Sequence, residues 1–231
     1  MKSALRFTES TCKSKSEERI AYENTTASAA VFFWYDRALS DPCEHKMKTA
    51  LTQYLQNHGA DEEPLQQAIA AAEPMELPTR HILLNQGAQP DCAYFLAEGI
   101  CHASYLTPEG RHFSKEFYWE QELIIGFESL LTGRPSEYVL ETLSASQLLA
   151  LPLTLIEQWK TTSPRLYMAL LERQLLFKEH KERFMLIHSP EERYTLFCEH
   201  FPDLQAQLAD YQVASYLGIT PTSLSRIRSC E

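Results

Sequence analysis

In the last dozen residues of the 231-residue chain, the segment "TPTSLSRIR" sets the hydroxyls of Thr220, Thr222, Ser223 and Ser225 among and ahead of the guanidinium groups of Arg226 and Arg228. Hydroxyls at the start of a helix suit phosphate oxygens, because the unpaired backbone N–H groups there already favour an anion. An arginine one turn further on can give two parallel hydrogen bonds to guanine O6 and N7. Tyr211 and Gln212, a short way upstream, are further candidates for the same surface. This is the chemistry of binding double-stranded DNA. Catalysis is not expected: the sequence holds no Gly-x-Ser-x-Gly, His-Glu-x-x-His or phosphate-loop pattern.

The elements that must position these groups can be read from their neighbours. Thr220 is a good N-cap and Pro221 a good first helical residue. Leu224 and Ile227, three apart, give that helix a buried face and leave Thr222, Ser223, Ser225, Arg226 and Arg228 outside. Upstream, Val213, Ala214 and Leu217 would point inward, with Ala214 small where two helices cross. Gly218 tolerates the positive φ of a tight turn. The pattern predicts a helix-turn-helix; the plainer alternative is an ordinary helical hairpin with solvated arginines.

A formal net charge of -10 speaks against nucleic acid only until it is divided. Residues 1–159 carry 12 Lys and Arg against 22 Asp and Glu, whereas 160–231 carry 9 of each. Affinity for phosphate depends on the local field, so a neutral C-terminal third permits DNA contact without requiring it.

Upstream, "SPRLYMALLERQLLFKEHKERFMLIH" (163–188) predicts a long helix with Ser163 as N-cap and Pro164 at its first position. Leu170, Phe177 and Phe184 are seven apart; with Leu166 they form a stripe that could pair with a copy of itself. Between Met75 and Pro152 short apolar runs alternate with turn residues, the texture of an antiparallel β roll, barrel or sandwich. Residues 47–71 read as one or two short helices, and the Ser/Thr/Lys/Glu-rich lead as mobile. The aromatic burst "AVFFWYDRAL" reads as packing on the body or a partner, or as a docking segment.

The apolar run at 27–35 is too short for a bilayer and too far in for an ordinary signal peptide, so no membrane is expected. Six cysteines without a C-x-x-C pair suggest a reducing, cytoplasmic setting. Cys12 and Cys43 are too isolated for an iron-sulfur cluster. The Cys-His neighbours at 43–45, 101–102 and 198–200 are lone pairs, short of the four converging ligands zinc usually takes.

Taken in order, the roll pattern "LLNQGAQPDCAYFLAEG" with "YLTPEGRHFSKEFYWEQELIIG", the "PSEY" of 135–138, "SPEERY" at 189–194 and "ASYLGITPTSLSRIR" resemble the Crp/Fnr family of bacterial transcription regulators over roughly residues 75–231. The resemblance implies an α+β fold: a cyclic-nucleotide-binding-like jelly-roll domain (46–160), a dimerisation helix (161–188) and a C-terminal winged helix-turn-helix (189–231), with 1–45 an accessory extension. It implies a homodimer on an inverted-repeat operator, its interface including Leu166, Leu170, Phe177 and Phe184, and RNA polymerase among its partners. Thr222 and Arg226 would face base edges, and Thr220 and Ser223 phosphates. Pro221 replaces a base-reading arginine, so the operator of the cyclic-AMP-responsive members does not carry over.

The family's nucleotide site maps onto Gly126, Phe127, Arg134, Glu137 and Tyr138. Phe127 stands where a ribose-binding carboxylate is expected and Glu137 where a phosphate-binding arginine is expected, which turns attraction into repulsion. Arg134 would serve only if the loop were rearranged. Cyclic AMP is therefore not the expected ligand, no cofactor is assigned, and a different small effector in the roll remains open. The rival reading is an effector-binding or protein-interaction module of the same fold with little specific DNA affinity.

Overall fold

A computed structural model describes residues 42–229, and the readings made for residues 1–41 lie outside them. Two helices, α1 (Pro42–Asn57) and α2 (Glu62–Ala71), precede eight strands: β1 (Glu73–Leu77), β2 (Ile82–Leu84), β3 (Cys92–Glu98), β4 (Cys101–Leu106), β5 (His112–Tyr118), β6 (Glu122–Ile124), β7 (Val139–Thr142) and β8 (Ser146–Pro152). A short helix, α3 (Phe127–Thr132), interrupts the strands after β6. The strands form two four-stranded antiparallel sheets, ordered β1-β8-β3-β6 and β2-β7-β4-β5.

β3 and β8 read as unbroken apolar runs because both of their faces are covered. Ala93, Phe95, Leu149 and Leu151 pack on the helical side, in one cluster with Leu51, Leu55, Ile156 and Trp159. Their alternating neighbours Tyr94, Leu96, Leu148 and Ala150 pack between the sheets against Cys101, Ala103, Tyr138 and Leu140. The period of two therefore sorts each strand into two cores. Each fully buried Leu or Phe contributes about 1.5–3 kcal/mol. Gly99, between β3 and β4, has φ +104, and a Cβ there would lie 2.8 Å from the Ala145 carbonyl oxygen.

After the roll come α4 (Leu153–Thr162), α5 (Pro164–Ile187), α6 (Pro190–His200), α7 (Pro202–Gln207), α8 (Asp210–Tyr216) and α9 (Pro221–Ser229). Pro164 opens α5 as expected; Ser163 occupies the N-cap position, but its side chain makes no capping bond. α6 starts with a complete capping box, Ser189 with Glu192, two bonds that satisfy donors at the helix start. The fold is α+β, as read from the sequence. A wing is not seen: among the described residues every regular element after Pro152 is helical.

α5 corrects the proposed dimer stripe. Leu166 and Leu170 are buried in the chain's own core with sheet and helix residues, Phe184 packs on the C-terminal cluster, and Phe177 is partly buried. The residues α5 turns outward are Met168 (50% exposed), Leu175 and Leu176 (both 58%), Leu186 and Ile187. At about 100° per residue, Leu166 and Met168 lie on opposite sides of the helix. Both stripes recur at helical spacing, and the roll claims the first.

Candidate nucleic-acid interface

The helix-turn-helix forms around a small core. Val213, Ala214, Leu217 and Leu224 have no exposed surface, Ile227 is 9% exposed, and Tyr194 and Phe197 of α6 close the cluster. Gly218 makes the turn at φ +68, the left-handed region where a Cβ is costly. At the start of α9 the Ser223 N–H donates to Thr220 Oγ1 at 3.1 Å, and the two hydroxyls lie 2.9 Å apart. Thr220 is thus the N-cap the sequence predicts.

With the apolar side buried, Thr222, Ser225 and Arg226 are exposed on the outer side of α9, Thr220 is exposed at its start, and Ser223 is half-buried. Tyr211 is 60% exposed at the start of α8. Gln212 is partly committed, since its Oε1 accepts the Ala209 N–H at 2.9 Å. Arg228 departs from expectation. Its Nε donates to the Tyr194 hydroxyl at 2.9 Å and its Nη1 to Asp210 at 2.5 Å, with the guanidinium over the Tyr194 ring. In this structure it ties α9 to α8 and α6 and does not stand free as a DNA contact, because two internal acceptors lie within its reach.

The helix-turn-helix also docks on the roll, a contact the sequence did not signal. Ile100 and Phe117 join its apolar cluster, and the Phe117 ring lies 5.1 Å from Tyr216 and 4.7 Å from His102. The Ser114 N–H donates to Ser215 Oγ at 2.8 Å, and the Ser215 hydroxyl donates to the His112 carbonyl at 3.2 Å. A cleft of about 770 Å³ lies between this strand and the turn, bordered by Arg111, His112, Tyr211, Gln212 and Thr220.

A second cleft, of about 500 Å³, opens where the roll meets α5. Of the residues assigned to an effector pocket, Gly126, Phe127 and Tyr138 line it. Gly126 precedes α3, and the Tyr138 hydroxyl would lie 3.3 Å from a Cβ at that glycine. The Phe127 ring meets Tyr167 edge-on at 6.4 Å, in a place where the family would offer a carboxylate. Arg134 and Glu137 are exposed and do not border the cleft, so the substitute role considered for Arg134 is not met here.

The charged groups in this cleft were missed from sequence. Lys115 of β5 and Lys178 and Lys181 of α5 line it, and the buried Glu116 carboxylate lies 3.7 Å from Lys115 and 2.5 Å from Lys178. Burial, reinforced by the Lys178 charge, lowers Lys115 to about 8 and Lys181 to about 7. Burial likewise raises Tyr138 and Tyr216 to about 12. The i, i+3 spacing of Lys178 and Lys181 was a readable signal; Lys115 on its strand was not.

Residues 74–161 match the cyclic nucleotide-binding domain family. No curated protein sequence matches the chain. Among solved structures, FixK2 from Bradyrhizobium japonicum is similar with a TM-score of 0.60 at 14% identity, over 69% of this chain and 83% of that one. The c-di-GMP responsive global regulator CLP from Xanthomonas campestris gives 0.58 at 17% identity, over 74% and 91%. A protein from Eubacterium rectale described as a crp/fnr-family regulator gives 0.63 at 13% identity, over 77% and 87%. The roll is thus the part of the chain that matches the cyclic nucleotide-binding domain model. The described residues, roll, long helix and C-terminal helices in that order, have the Crp/Fnr fold.

Proposed function

We propose that the chain is a Crp/Fnr-type transcription regulator that binds an inverted-repeat DNA operator as a homodimer, and that cyclic AMP is not its trigger. The observation that carries the reading is α9: its apolar side is buried in the helix-turn-helix core while Thr222, Ser225 and Arg226 stand exposed. Thr222 and Arg226 read base edges, and Thr220 and Ser223 meet phosphates at the helix start. Dimerisation uses the outward face of α5, where Met168, Leu175, Leu176, Leu186 and Ile187 present apolar surface along a helix of 24 residues. Against cyclic AMP stand the Phe127 ring after Gly126 and the exposure of Arg134, which is not among the residues that line the cleft.

The test is selection of bound sequences from random duplex DNA at fixed salt, with and without cyclic AMP. An inverted repeat enriched in both conditions is the expected result. Enrichment only with cyclic AMP would overturn the account of Phe127 and Glu137. The rival, a module of the same fold without DNA affinity, draws support from the commitment of Arg228 to Tyr194 and Asp210. It predicts no enrichment in either condition, and none with any anion added that the roll binds.

A further inference from the structure

We propose that the edge of the roll facing the helix-turn-helix, Arg111 with the His112 imidazole beside it, is a second contact surface for the DNA backbone. It holds phosphates next to those met by Thr220, so that a bound duplex rests on the roll as well as on α9. The inference rests on the DNA-binding reading and deepens it with a phosphate contact from outside the helix-turn-helix.

The backbone fixes where these side chains stand. The hairpin between β4 and β5 is closed by the Thr107 N–H donating to the Arg111 carbonyl at 2.9 Å and the Gly110 N–H to the Thr107 carbonyl at 2.9 Å. The Arg111 N–H donates in turn to Thr107 Oγ1 at 3.3 Å. Ser215 of α8 then ties the strand to the helix-turn-helix, accepting from the Ser114 N–H and donating to the His112 carbonyl. Arg111 and His112 therefore border the roll side of a cleft whose other side carries Thr220 and Tyr211. All four residues are exposed.

The charge at this edge runs against that of the rest of the roll. Residues 73–152 carry four Lys and Arg against eleven Asp and Glu, a balance that repels DNA. The cleft beside α9 nevertheless has Arg111 on its border and Glu141 as the one carboxylate among its lining residues. Glu141 is already engaged. Its hydrogen bond with His102, at 3.4 Å, holds its carboxyl below the usual range against the opposing effect of burial, and His112 and Arg80 act in the same direction as His102. Glu109, two residues before Arg111, takes a hydrogen bond from the Thr107 side chain. Among the described residues no carboxylate lies within ion-pair distance of Arg111. Arg228, by contrast, is taken up by Tyr194 and Asp210. A guanidinium offers five N–H donors in a fork that matches phosphate, and an imidazole keeps an N–H donor in either protonation state. An exposed arginine without an internal acceptor, across a cleft from the hydroxyl that caps α9, is thus placed to share the backbone phosphates that Thr220 meets.

Fluorescence anisotropy on the full chain tests the surface through its salt dependence, using a duplex with the sequence enriched by selection and a scrambled duplex of equal length. Each phosphate contact adds about 0.9 to the slope of log affinity against log salt. Arg111→Gln removes one contact per chain and two per dimer, so the slope should fall by about 1.8. The advantage of the unsubstituted chain should then shrink about tenfold between about 50 and about 200 mM salt. Both duplexes should be affected alike, because phosphates carry no sequence information. Arg111→Lys should keep the slope, and adding His112→Ala to Arg111→Gln should weaken both duplexes further. Arg165→Gln, near the other end of α5 and about 30 Å of helix from Met185, should change nothing. Circular dichroism verifies that each variant folds. An unchanged slope in folded Arg111→Gln, no further loss on adding His112→Ala, or a loss confined to the enriched sequence would overturn the proposal while leaving the DNA-binding reading intact. Failure of the unsubstituted chain to bind either duplex would overturn both.

Discussion

Arg226 and Arg228 lie two residues apart on one helix, and their surroundings separate them. Arg226 is exposed and unpaired in the salt bridges of the described residues, whereas Arg228 is bound to Tyr194 and Asp210. Arg226→Ala should cost about 1–3 kcal/mol of specific DNA affinity and relax the preference at one operator position, as fluorescence anisotropy on a set of singly substituted operators would record. Arg228→Ala should act differently. It loosens the join between α9 and α6, lowers thermal stability by under about 1 kcal/mol because Asp210 is well exposed, and weakens all operators alike. A base-specific loss in Arg228→Ala would mean that its internal bonds are exchanged for DNA contacts on binding.

Two elements carry predictions of their own. In the turn between α8 and α9, Gly218→Ala places a Cβ at φ +68 and 2.7 Å from the Met185 methyl. The methyl can move aside but the backbone cannot, so the variant should lose about 1–2 kcal/mol in denaturant unfolding. In α5, the outward residues make the dimer prediction specific. Leu175→Glu with Leu176→Glu should give monomers in sedimentation with the fold intact, since both side chains are 58% exposed in the single chain. Leu166→Ala should instead unfold the chain, losing about 2–5 kcal/mol as a large-to-small change in a packed core. A stable dimer of the double glutamate variant would show that pairing uses another face.

At the scale of the whole molecule the buried lysines and tyrosines set the pH response. Lys181 is lowered from 10.5 to about 7 in the folded chain, so between these values the unfolded chain holds more protons. Stability from this group therefore rises with pH from about 7 towards 10, and Lys115, lowered to about 8, adds in the same direction. The buried Cys101 thiol is raised from 9.0 to about 12, and Tyr138 and Tyr216 from 10.0 to about 12, so above pH 9 to 10 the unfolded chain loses these protons first and stability falls. Unfolding free energy should pass through a maximum near pH 9 to 10, and Lys181→Met should flatten the rise below it while leaving the fall above it.

How much was legible in the sequence follows from how local each feature is. The helix-turn-helix was readable residue by residue because its caps, its turn glycine and its i, i+3 apolar pairs are all set within a few bonds of one another; Thr220, Pro221, Gly218 and Leu224 sit as their chemistry requires. The roll was readable as a texture of short strands, since alternation and turn residues are also local. What only the tertiary structure decided is which of two competing surfaces each element uses. α5 carries apolar residues on opposite sides, and nothing within the helix says that the roll takes Leu166 and Leu170 and leaves Leu175 and Leu176 outside. Arg228 looked like a DNA contact until Tyr194, 34 residues earlier in the chain, came within 2.9 Å. Lys115, Lys178 and Lys181 are ordinary in their own segments and become a charged cleft only when β5 packs against α5. Spacing fixes which face a residue occupies relative to its neighbours along the chain, but the free energy of burial, which chooses among faces, depends on surfaces brought together from distant parts of the sequence.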